Sequence, residues 1–213
     1  VLATGSSPFV PPIPGLSDVP YLTNETLWQL REQPEHLVII GGGPIGIEIA
    51  QAHRLLGARV HVIEMMRVLS GDDPELVEVV KARLANDGVE ILEGARVQRV
   101  RRTDTGVVIE FDQQGAAHDI EGSHLLVAAG RRPNLDGLNL DAAGIKTTPQ
   151  GIQVNASLRT SNRRVYALGD VAGDQQFTHV AAYHAGIFLR NALFRIPAKR
   201  DHRAYVRVTY TRP

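Results

Sequence analysis

The sequence contains no cysteine among its 213 residues, which excludes a disulfide framework and thiolate chemistry within them. It also lacks a net charge, because 23 basic and 23 acidic residues balance, so no overall field favours nucleic acid or an anionic membrane. No apolar run approaches the roughly 20 residues of a membrane span, and no signal-peptide pattern opens the chain. We therefore predict a cytoplasmic protein with no nucleic-acid partner, no membrane partner and no metal site.

The basic residues do not form a single patch. Three arginine pairs, Arg101-Arg102, Arg131-Arg132 and Arg163-Arg164, lie in three different segments. We interpret them as solvated ends of loops and strands.

The two ends of the chain are strand-like and look cut. The chain opens with "VLATG", without a methionine, and stops in "VRVTYTRP". We therefore expect these residues to be a piece of a longer protein.

A glycine-rich turn is the main functional signal. The stretch "HLVIIGGGPIGIEIAQAHRLLGARVHVIE" places Gly41, Gly43 and Gly46 in the spacing G-x-G-x-x-G, with Pro44 and Ile45 before the third glycine. In a dinucleotide-binding turn, the first glycine permits a tight turn, the second lets backbone approach a pyrophosphate, and the third lets the helix pack against the sheet. The first N–H groups of the helix then face the phosphates. We predict that these five residues bind a dinucleotide.

The surroundings of this turn indicate which dinucleotide it binds. An apolar strand precedes the glycines, a helix follows, and the next strand ends in Glu64, about 20 residues after the first glycine. A carboxylate there accepts hydrogen bonds from the ribose hydroxyls of NAD and repels the 2′-phosphate of NADP. Arg67 stands nearby and could receive that phosphate, which leaves NADP as an alternative. The predicted cofactor is NAD.

The rest of the chain fits an α/β fold with a parallel sheet. "LVII", "RVHVIE" and "VEILEG" are short apolar runs that alternate with two well-marked helices, as βαβ units do. Residues 95–121 are polar-interleaved and divided by turn signals, which predicts an antiparallel β-meander. We further predict a short helix over Thr23 to Glu32, a strand within "NRRVYALGD" and a helix over Thr178 to Leu193.

Four motifs in this order resemble the pyridine nucleotide-disulfide oxidoreductases, the family of dihydrolipoamide dehydrogenase, mercuric reductase and glutathione reductase. "LATGSSPFVPPIPG" resembles the motif where the chain leaves the FAD domain. The glycine stretch resembles the NAD fingerprint, "LLVAAGRRPNLDGLNL" the return crossover, and "VYALGDVAG" the second FAD motif. Together these motifs span essentially the whole chain.

The resemblance implies a flavin site made of separated segments. It implies that Thr4 and Gly5 line the adenosine side of FAD. It places Gly169 and Asp170 on FAD, with the Asp170 carboxylate accepting a hydrogen bond from a ribitol hydroxyl. The helix that begins near Thr178 would point its N–H groups at the flavin pyrimidine.

Other implied roles concern the nicotinamide half of NAD. Gly130 would let the crossover backbone approach it. Glu48 is the implied catalytic residue, since the family's glutamate at this position pairs with a lysine near flavin N5; its alternative role is to complement the helix N-terminus. Pro44 departs from relatives that hold a gating tyrosine there, and Arg212 replaces the acid of the family's "TYTDP".

The implied organisation is a Rossmann-like NAD(P)-binding domain flanked by parts of a discontinuous FAD domain. Residues 1–22 would end the first FAD segment and form a linker, 23–125 the NAD(P) domain, 126–200 the second FAD segment and 201–213 the start of an interface domain. The strands around Leu125–Ala129 and Val165–Leu168 would then lie in a sheet whose other strands are missing.

The implied function is hydride transfer from NADH to FAD and onward to a disulfide or another acceptor. The parent protein would be a homodimer, and this chain alone would be inactive. The alternative is a stand-alone NAD-binding module without redox activity.

Overall fold

The computed structural model describes residues 1–212 as two compact units, with only the backbone described at Ala204. The small unit comprises Val1–Ser7 and Arg131–Arg207. The large unit comprises Pro8–Gly130 and the segment that begins at Val208. Pro213, the last residue of the predicted interface segment, lies outside the described residues. Within the described residues, no helix combines the length and apolar character needed to cross a membrane.

The elements confirm the predicted α/β class. The strands are β1 Ser6–Pro8, β2 His36–Ile40, β3 Arg59–Glu64, β4 Val89–Glu93, β5 Ala95–Arg102, β6 Val107–Gln113, β7 Ala116–Gly122, β8 His124–Val127, β9 Arg131–Pro133, β10 Thr147–Thr148 and β11 Gly151–Ile152. The helices are α1 Pro44–Leu55, α2 Pro74–Asp87 and α3 Thr178–Ala192. Short 3₁₀ turns are Leu16–Asp18, Leu27–Gln29, Gly169–Ala172 and His202–Ala204.

A four-stranded parallel sheet with the order β4-β3-β2-β8 forms the centre of the large unit. Both of its faces are covered, which explains why its strands are continuous apolar runs. On one face Leu37 and Ile39 pack with α1 and α2. On the other face Val38 and Ile40 pack with the meander. Burial of these side chains stabilises the sheet at about 1.5–3 kcal/mol each.

Helix α2 begins and ends at residues whose chemistry suits those positions. Asp73 is the N-cap, and its carboxylate accepts the Glu75 N–H at 3.0 Å. Pro74 occupies the first turn, where its missing N–H costs nothing. Gly88 ends the helix in the left-handed conformation, with φ of 87°.

The predicted meander is confirmed as the antiparallel sheet β5-β6-β7. Its inner side chains, among them Val100, Ile109 and Phe111, are buried against the parallel sheet. Along β5 the inward side chains are Ala95, Val97 and Val100, and the period of two is interrupted by the irregular pairing between Val97 and Arg99.

The expectation for Leu125–Ala129 is wrong. Strand β8 pairs in parallel with β2, so it belongs to the large unit's sheet rather than to one whose strands are missing. Its other edge is covered by Leu22, which donates to the Leu125 carbonyl at 2.7 Å and accepts the Val127 N–H at 2.8 Å. An apolar run shows that a strand is buried but does not show which sheet buries it.

Two further sequence expectations are wrong in their local structure. The predicted helix over Thr23 to Glu32 is a hydrogen-bonded turn followed by the 3₁₀ turn Leu27–Gln29, and the chain leaves the helical conformation at Leu30, where ψ is 135°. The predicted strand near Val165–Leu168 is reduced to isolated bridges, one of them between Ala167 and Leu2.

The small unit has two apolar clusters around short strands. Strand β1 pairs with β9, and β10 forms a hairpin with β11. Helix α3 is confirmed and buries Val180, His184 and Ile187 along one face. A buried histidine on this otherwise apolar face is the exception that requires a polar partner.

Candidate nucleotide and flavin sites

The first and third glycines of the G-x-G-x-x-G turn are required by packing. Gly41 has φ of 112°, and a Cβ there would lie 2.4 Å from the Ala128 carbonyl oxygen. A Cβ at Gly46 would lie 2.0 Å from the Gly41 carbonyl oxygen. Both positions therefore exclude a side chain whatever the protein binds.

The second glycine has a different reason to be glycine. Gly43 is the N-cap of α1 with φ of −74°, and a Cβ there would meet nothing within 4 Å. An L-residue would fit its backbone, so the packing around it does not require glycine. Open space lies over the first turn of α1, to which Pro44 and Ile45 belong. Such a cradle fits a pyrophosphate, which a Cβ would partly displace.

The Glu64 carboxylate lies beside this cradle. Glu64 is the last residue of β3 and is half-buried; its Oε2 accepts the Gly42 N–H at 2.7 Å, and its Oε1 accepts the Met66 N–H at 2.9 Å. Two backbone donors therefore fix both oxygens, and each oxygen keeps further capacity to accept a hydrogen bond. The acid is thus held at the carboxyl end of the sheet, at the rim of the turn.

A second acid, Glu93 at the end of β4, supports the same rim. Its carboxylate accepts the Val68 N–H at 2.8 Å and the Lys81 ammonium at 2.9 Å. Burial opposes ionisation of Glu93, but the bonds from Lys81 and Val68 outweigh it and lower the pKa of the carboxyl group. The loop after β3, which contains the exposed Arg67, is therefore anchored at both Glu64 and Glu93. Sequence reasoning missed Glu93, although its position at the end of the next parallel strand was a usable signal.

Glu48 stands one turn into α1. Its Oε1 accepts the Tyr210 N–H at 2.9 Å. One turn later the buried Gln51 accepts the Arg212 N–H at 2.6 Å and donates to Asp87 at 2.8 Å. The segment that begins at Val208 is therefore hydrogen-bonded along α1.

Gly130 lies at the end of the large unit. Its φ of 117° is in the region that favours glycine, and its carbonyl accepts the Phe9 N–H at 2.9 Å. It is exposed and open to solvent, with nothing within 4 Å of a Cβ built there.

The small unit gathers the predicted flavin motif into one turn. Gly169 has φ of 67° and begins a 3₁₀ turn; a Cβ there would lie 3.2 Å from the Ala181 Cβ of α3. Asp170 follows it, and its Oδ2 accepts the Ser6 hydroxyl at 2.5 Å. The Ser6 hydroxyl in turn accepts the Arg131 Nε–H at 2.7 Å.

Arg131 corrects the interpretation of its pair as solvated. Its side chain is only 19% exposed, and its Nη2 also donates to the Ser6 carbonyl at 2.6 Å. The guanidinium lies 3.8 Å from the Asp170 carboxylate. Ser6 and Arg131 are therefore the site residues that sequence reasoning missed. The signal available for Arg131 was its place beside Gly130 in "AAGRRPN".

The remaining predicted residues lie in the same unit. The Thr4 hydroxyl donates to the Asn134 carbonyl at 2.8 Å, and the Gly5 carbonyl accepts the Asn134 N–H at 3.0 Å. Thr178 is the first residue of α3 and is exposed, and the N-cap residue Phe177 contributes no side-chain hydrogen bond. Asn134 thus ties the first segment to the residues that follow β9.

Known proteins match these features along the whole chain. The family model "Pyridine nucleotide-disulphide oxidoreductase" matches residues 1–185. The chain is 40% identical over 215 residues to a mercuric reductase of Staphylococcus aureus, covering 100% of this chain and 39% of that protein. A mercuric reductase of Streptomyces lividans is 37% identical over 214 residues, and the chain covers 45% of it.

Solved structures give the same result. LpdA from Mycobacterium tuberculosis superposes with a TM-score of 0.88 at 30% identity, covering 99% of this chain and 46% of that one. The flavoprotein disulfide reductase RclA from Escherichia coli superposes with a TM-score of 0.82 at 30% identity, covering 96% and 46%. The chain thus spans about two fifths to half of the length of these relatives. It belongs to the pyridine nucleotide-disulphide oxidoreductase family.

Proposed function

We propose that this chain is the NADH-binding portion, and part of the flavin site, of an FAD-dependent oxidoreductase that passes hydride from NADH to the flavin. Electrons would continue to a disulfide or another acceptor. The family supports an enzyme that combines a flavin with a nicotinamide dinucleotide. The choice of NADH is our inference from the position of Glu64, and the direction of transfer is what the family resemblance implies.

The position of Glu64 is the observation that carries the proposal. Its carboxylate is fixed by the N–H groups of Gly42 and Met66 at the rim of the open turn. A ribose diol placed there would donate to the remaining lone pairs, whereas a 2′-phosphate would bring like charges together. A hydrogen bond to a charged group contributes about 1.5–3 kcal/mol, or roughly one to two decades of affinity.

The other residues of the large unit would orient the dinucleotide. The first turn of α1, over Gly43, would hold the pyrophosphate with its N–H groups and the positive end of the helix dipole. Gly130 would let backbone approach the nicotinamide half. Glu48 would pair with a lysine near flavin N5, beside the nicotinamide ring, as the resemblance implies. Its hydrogen bond to the Tyr210 N–H already limits the orientation of its carboxylate.

The small unit would hold part of the flavin. Flavin supplies the ring that accepts hydride and releases electrons, while the protein supplies placement and electrostatics. Asp170, oriented by Ser6 and Arg131, would accept a hydrogen bond from a ribitol hydroxyl. Thr4 and Gly5 would line the adenosine side, and Thr178 would open the helix that faces the pyrimidine. A stand-alone NAD module would have no use for this half-buried arrangement of a carboxylate and an arginine.

For the whole protein we propose a cytoplasmic homodimer, as the family resemblance implies. The residues after 200 would lead into its interface.

The test is a titration of the chain with NADH and with NADPH, in which binding is measured from the fluorescence of the nucleotide. We expect Glu64→Gln to weaken NADH binding about tenfold or more and to weaken NADPH binding less, because the variant loses the acceptor for the ribose diol and relieves repulsion of the 2′-phosphate. Glu75→Gln, on the exposed face of α2, is the matched control and should leave both affinities unchanged.

The ratio of the two affinities separates ribose recognition from loop damage. Glu64→Gln also disturbs the bonds to Gly42 and Met66, and a disturbed loop would weaken NADH and NADPH equally. Equal losses, or no binding of NADH by the folded chain, would contradict the proposal.

A further inference from the structure

His184 is a fully buried titratable side chain that the proposed function does not use. It lies on the buried face of α3 with 0% of its surface exposed. Its Nδ1 is 3.2 Å from the backbone nitrogen of Gly169, the first residue of the flavin-motif turn. Because a backbone N–H can only donate, Nδ1 must present a lone pair to Gly169.

The opposite nitrogen of His184 begins a chain of hydrogen bonds. Its Nε2 is 2.8 Å from the Tyr205 hydroxyl, which donates to Asp174 Oδ2 at 2.9 Å. Arg200 donates to the same carboxylate oxygen at 2.8 Å, and the Asp174 side chain is only 8% exposed. A carboxylate paired with arginine only accepts, so the Tyr205 proton points to Asp174 and the Tyr205 oxygen accepts from His184.

The hydrogen bonds at the two ring nitrogens therefore require the same form of the imidazole. The Gly169 end needs an unprotonated Nδ1 and the Tyr205 end needs a protonated Nε2, which together define the neutral Nε2–H tautomer. Burial lowers the pKa of His184, and the charges of Arg200 and His202 lower it further, while Asp174 opposes them. Burial and the bond to Asp174 raise the pKa of Tyr205, which keeps its hydroxyl protonated.

The backbone of the turn that His184 contacts is also constrained by its own conformation and by the packing of α3. Gly169 is in the left-handed region, and α3 packs so closely that a Cβ on Gly169 would lie 3.2 Å from the Ala181 Cβ. Ala181 and His184 are one turn apart on the same helix. The direction of the Gly169 N–H therefore sets the start of the 3₁₀ turn that carries the Asp170 carboxylate.

We propose that His184 is a positioning residue for the Gly169–Asp170 turn: its neutral Nε2–H tautomer holds the Gly169 N–H, and protonation of the imidazole releases it. The functional meaning of this positioning rests on the proposed flavin role of Asp170, whereas the hydrogen bond between His184 and Gly169 is independent of that role. An imidazolium would direct an N–H at the N–H of Gly169, leaving both buried donors without an acceptor. The ionisable and aromatic groups that face the imidazole are Asp174, Arg200, His202, Tyr183 and Tyr205.

The test uses two amides that each reproduce one nitrogen of the ring. Asn places its carbonyl oxygen near Nδ1 and Gln places its amide near Nε2, so His184→Asn keeps an acceptor for Gly169 and His184→Gln keeps the link to Tyr205. In the 213-residue chain we expect the amide-exchange protection of Gly169 to fall about tenfold in His184→Gln, a loss of about 1.4 kcal/mol. In His184→Asn it should fall less than about threefold. The control, Arg190→Gln, changes an exposed residue of the same helix.

Two measurements on the unaltered fold keep the test decisive if a variant does not fold. ¹⁵N NMR of the unaltered chain should show His184 as the Nε2–H tautomer at neutral pH. On acidification the protection of Gly169 should fall at the midpoint at which His184 itself titrates, while any fall in the protection of Ile39 in the large unit should follow His36 and His61 instead.

Three results would overturn the inference: an Nδ1–H tautomer, equal protection of Gly169 in the Asn and Gln variants, or protection that ignores the titration of His184. A failure of the proposed function would appear instead in the NADH and NADPH affinities of Glu64→Gln. That failure would leave the Gly169 measurements unchanged, so the two are distinguishable.

Discussion

Each of the two glycine turns of this chain has an acidic side chain beside it, and the two acids are held in position by different kinds of groups. In the large unit, Gly41 and Gly43 follow the parallel strand β2. Glu64 is the last residue of the neighbouring strand β3, and its carboxylate is held by backbone N–H groups. In the small unit, Gly169 stands directly before its acid, Asp170, which side chains hold. One acid is positioned by the sheet and the other by a side-chain network.

This difference determines what each turn tolerates. A carboxylate fixed by backbone donors depends on the regularity of β2 and β3, which the core of the large unit stabilises. A carboxylate fixed by Ser6 and Arg131 depends on two other segments of the chain, and Ser6 lies 164 positions away from Asp170. We therefore expect the first turn to be sensitive to packing changes, and the second to be sensitive to the loss of single polar groups.

The largest expected effect comes from comparing two glycines of the first turn. Gly46→Ala places a Cβ 2.0 Å from the Gly41 carbonyl oxygen. Backbone atoms cannot move aside cheaply, so we expect the free energy of unfolding to fall by about 3 kcal/mol. Gly43→Ala meets open space and should change stability by less than about 0.5 kcal/mol, yet it should weaken NADH binding about tenfold by filling the phosphate cradle. Urea unfolding and NADH titration measure the two quantities.

The two substitutions are each other's control. If Gly43→Ala binds NADH as tightly as the parent chain, the pyrophosphate does not lie over Gly43. If Gly46→Ala is as stable as the parent chain, the close approach of α1 to the turn is not what requires the third glycine.

Acidification compares the two units through histidines whose pKa is lowered by burial. Burial lowers the pKa of His61 and of His36 in the large unit, and it lowers that of His184 in the small unit. The folded chain therefore binds fewer protons than the unfolded chain below the ordinary value of 6.5, so stability should fall as pH decreases from about 6.5 and be fully present above it. Unfolding free energies at a series of pH values measure the slope, and His61→Gln should make it shallower. A stability that rises on acidification through this range would contradict the assignment.

The sequence predicted the first turn better than the second for a physical reason. The strand, the glycines, the helix and Glu64 lie within 29 consecutive residues (36–64), and each carries a local signal of periodicity or turn geometry. The clean ends of α2 at Asp73 and Gly88 were predictable on the same basis.

Long-range partners left no comparable trace. Ser6 and Arg131 looked like ordinary polar residues, and Glu93 like the end of a strand, because their roles depend on which segments meet in the fold. The pairing of β8 with β2 was missed for the same reason, since an apolar run does not identify its neighbour. Residue types therefore predicted the elements, whereas the contacts between distant segments determined the flavin-motif turn.

The smallest expected effect tests the side-chain network directly. Ser6→Ala removes the hydroxyl that donates to Asp170 and accepts from Arg131, at a position with 9% exposure. We expect a loss of about 1–2 kcal/mol in the stability of the small unit, because two hydrogen bonds to charged groups disappear while the direct attraction between Arg131 and Asp170 remains. Amide exchange should show the loss at Gly169 but not at Ile39 in the large unit. Ser17→Ala, which removes an exposed hydroxyl that donates to the adjacent Asp18, provides the control for the substitution itself. An equal loss of protection in both units would mean that the network around Asp170 does not stabilise the small unit alone. The contrast between the two turns would then be wrong.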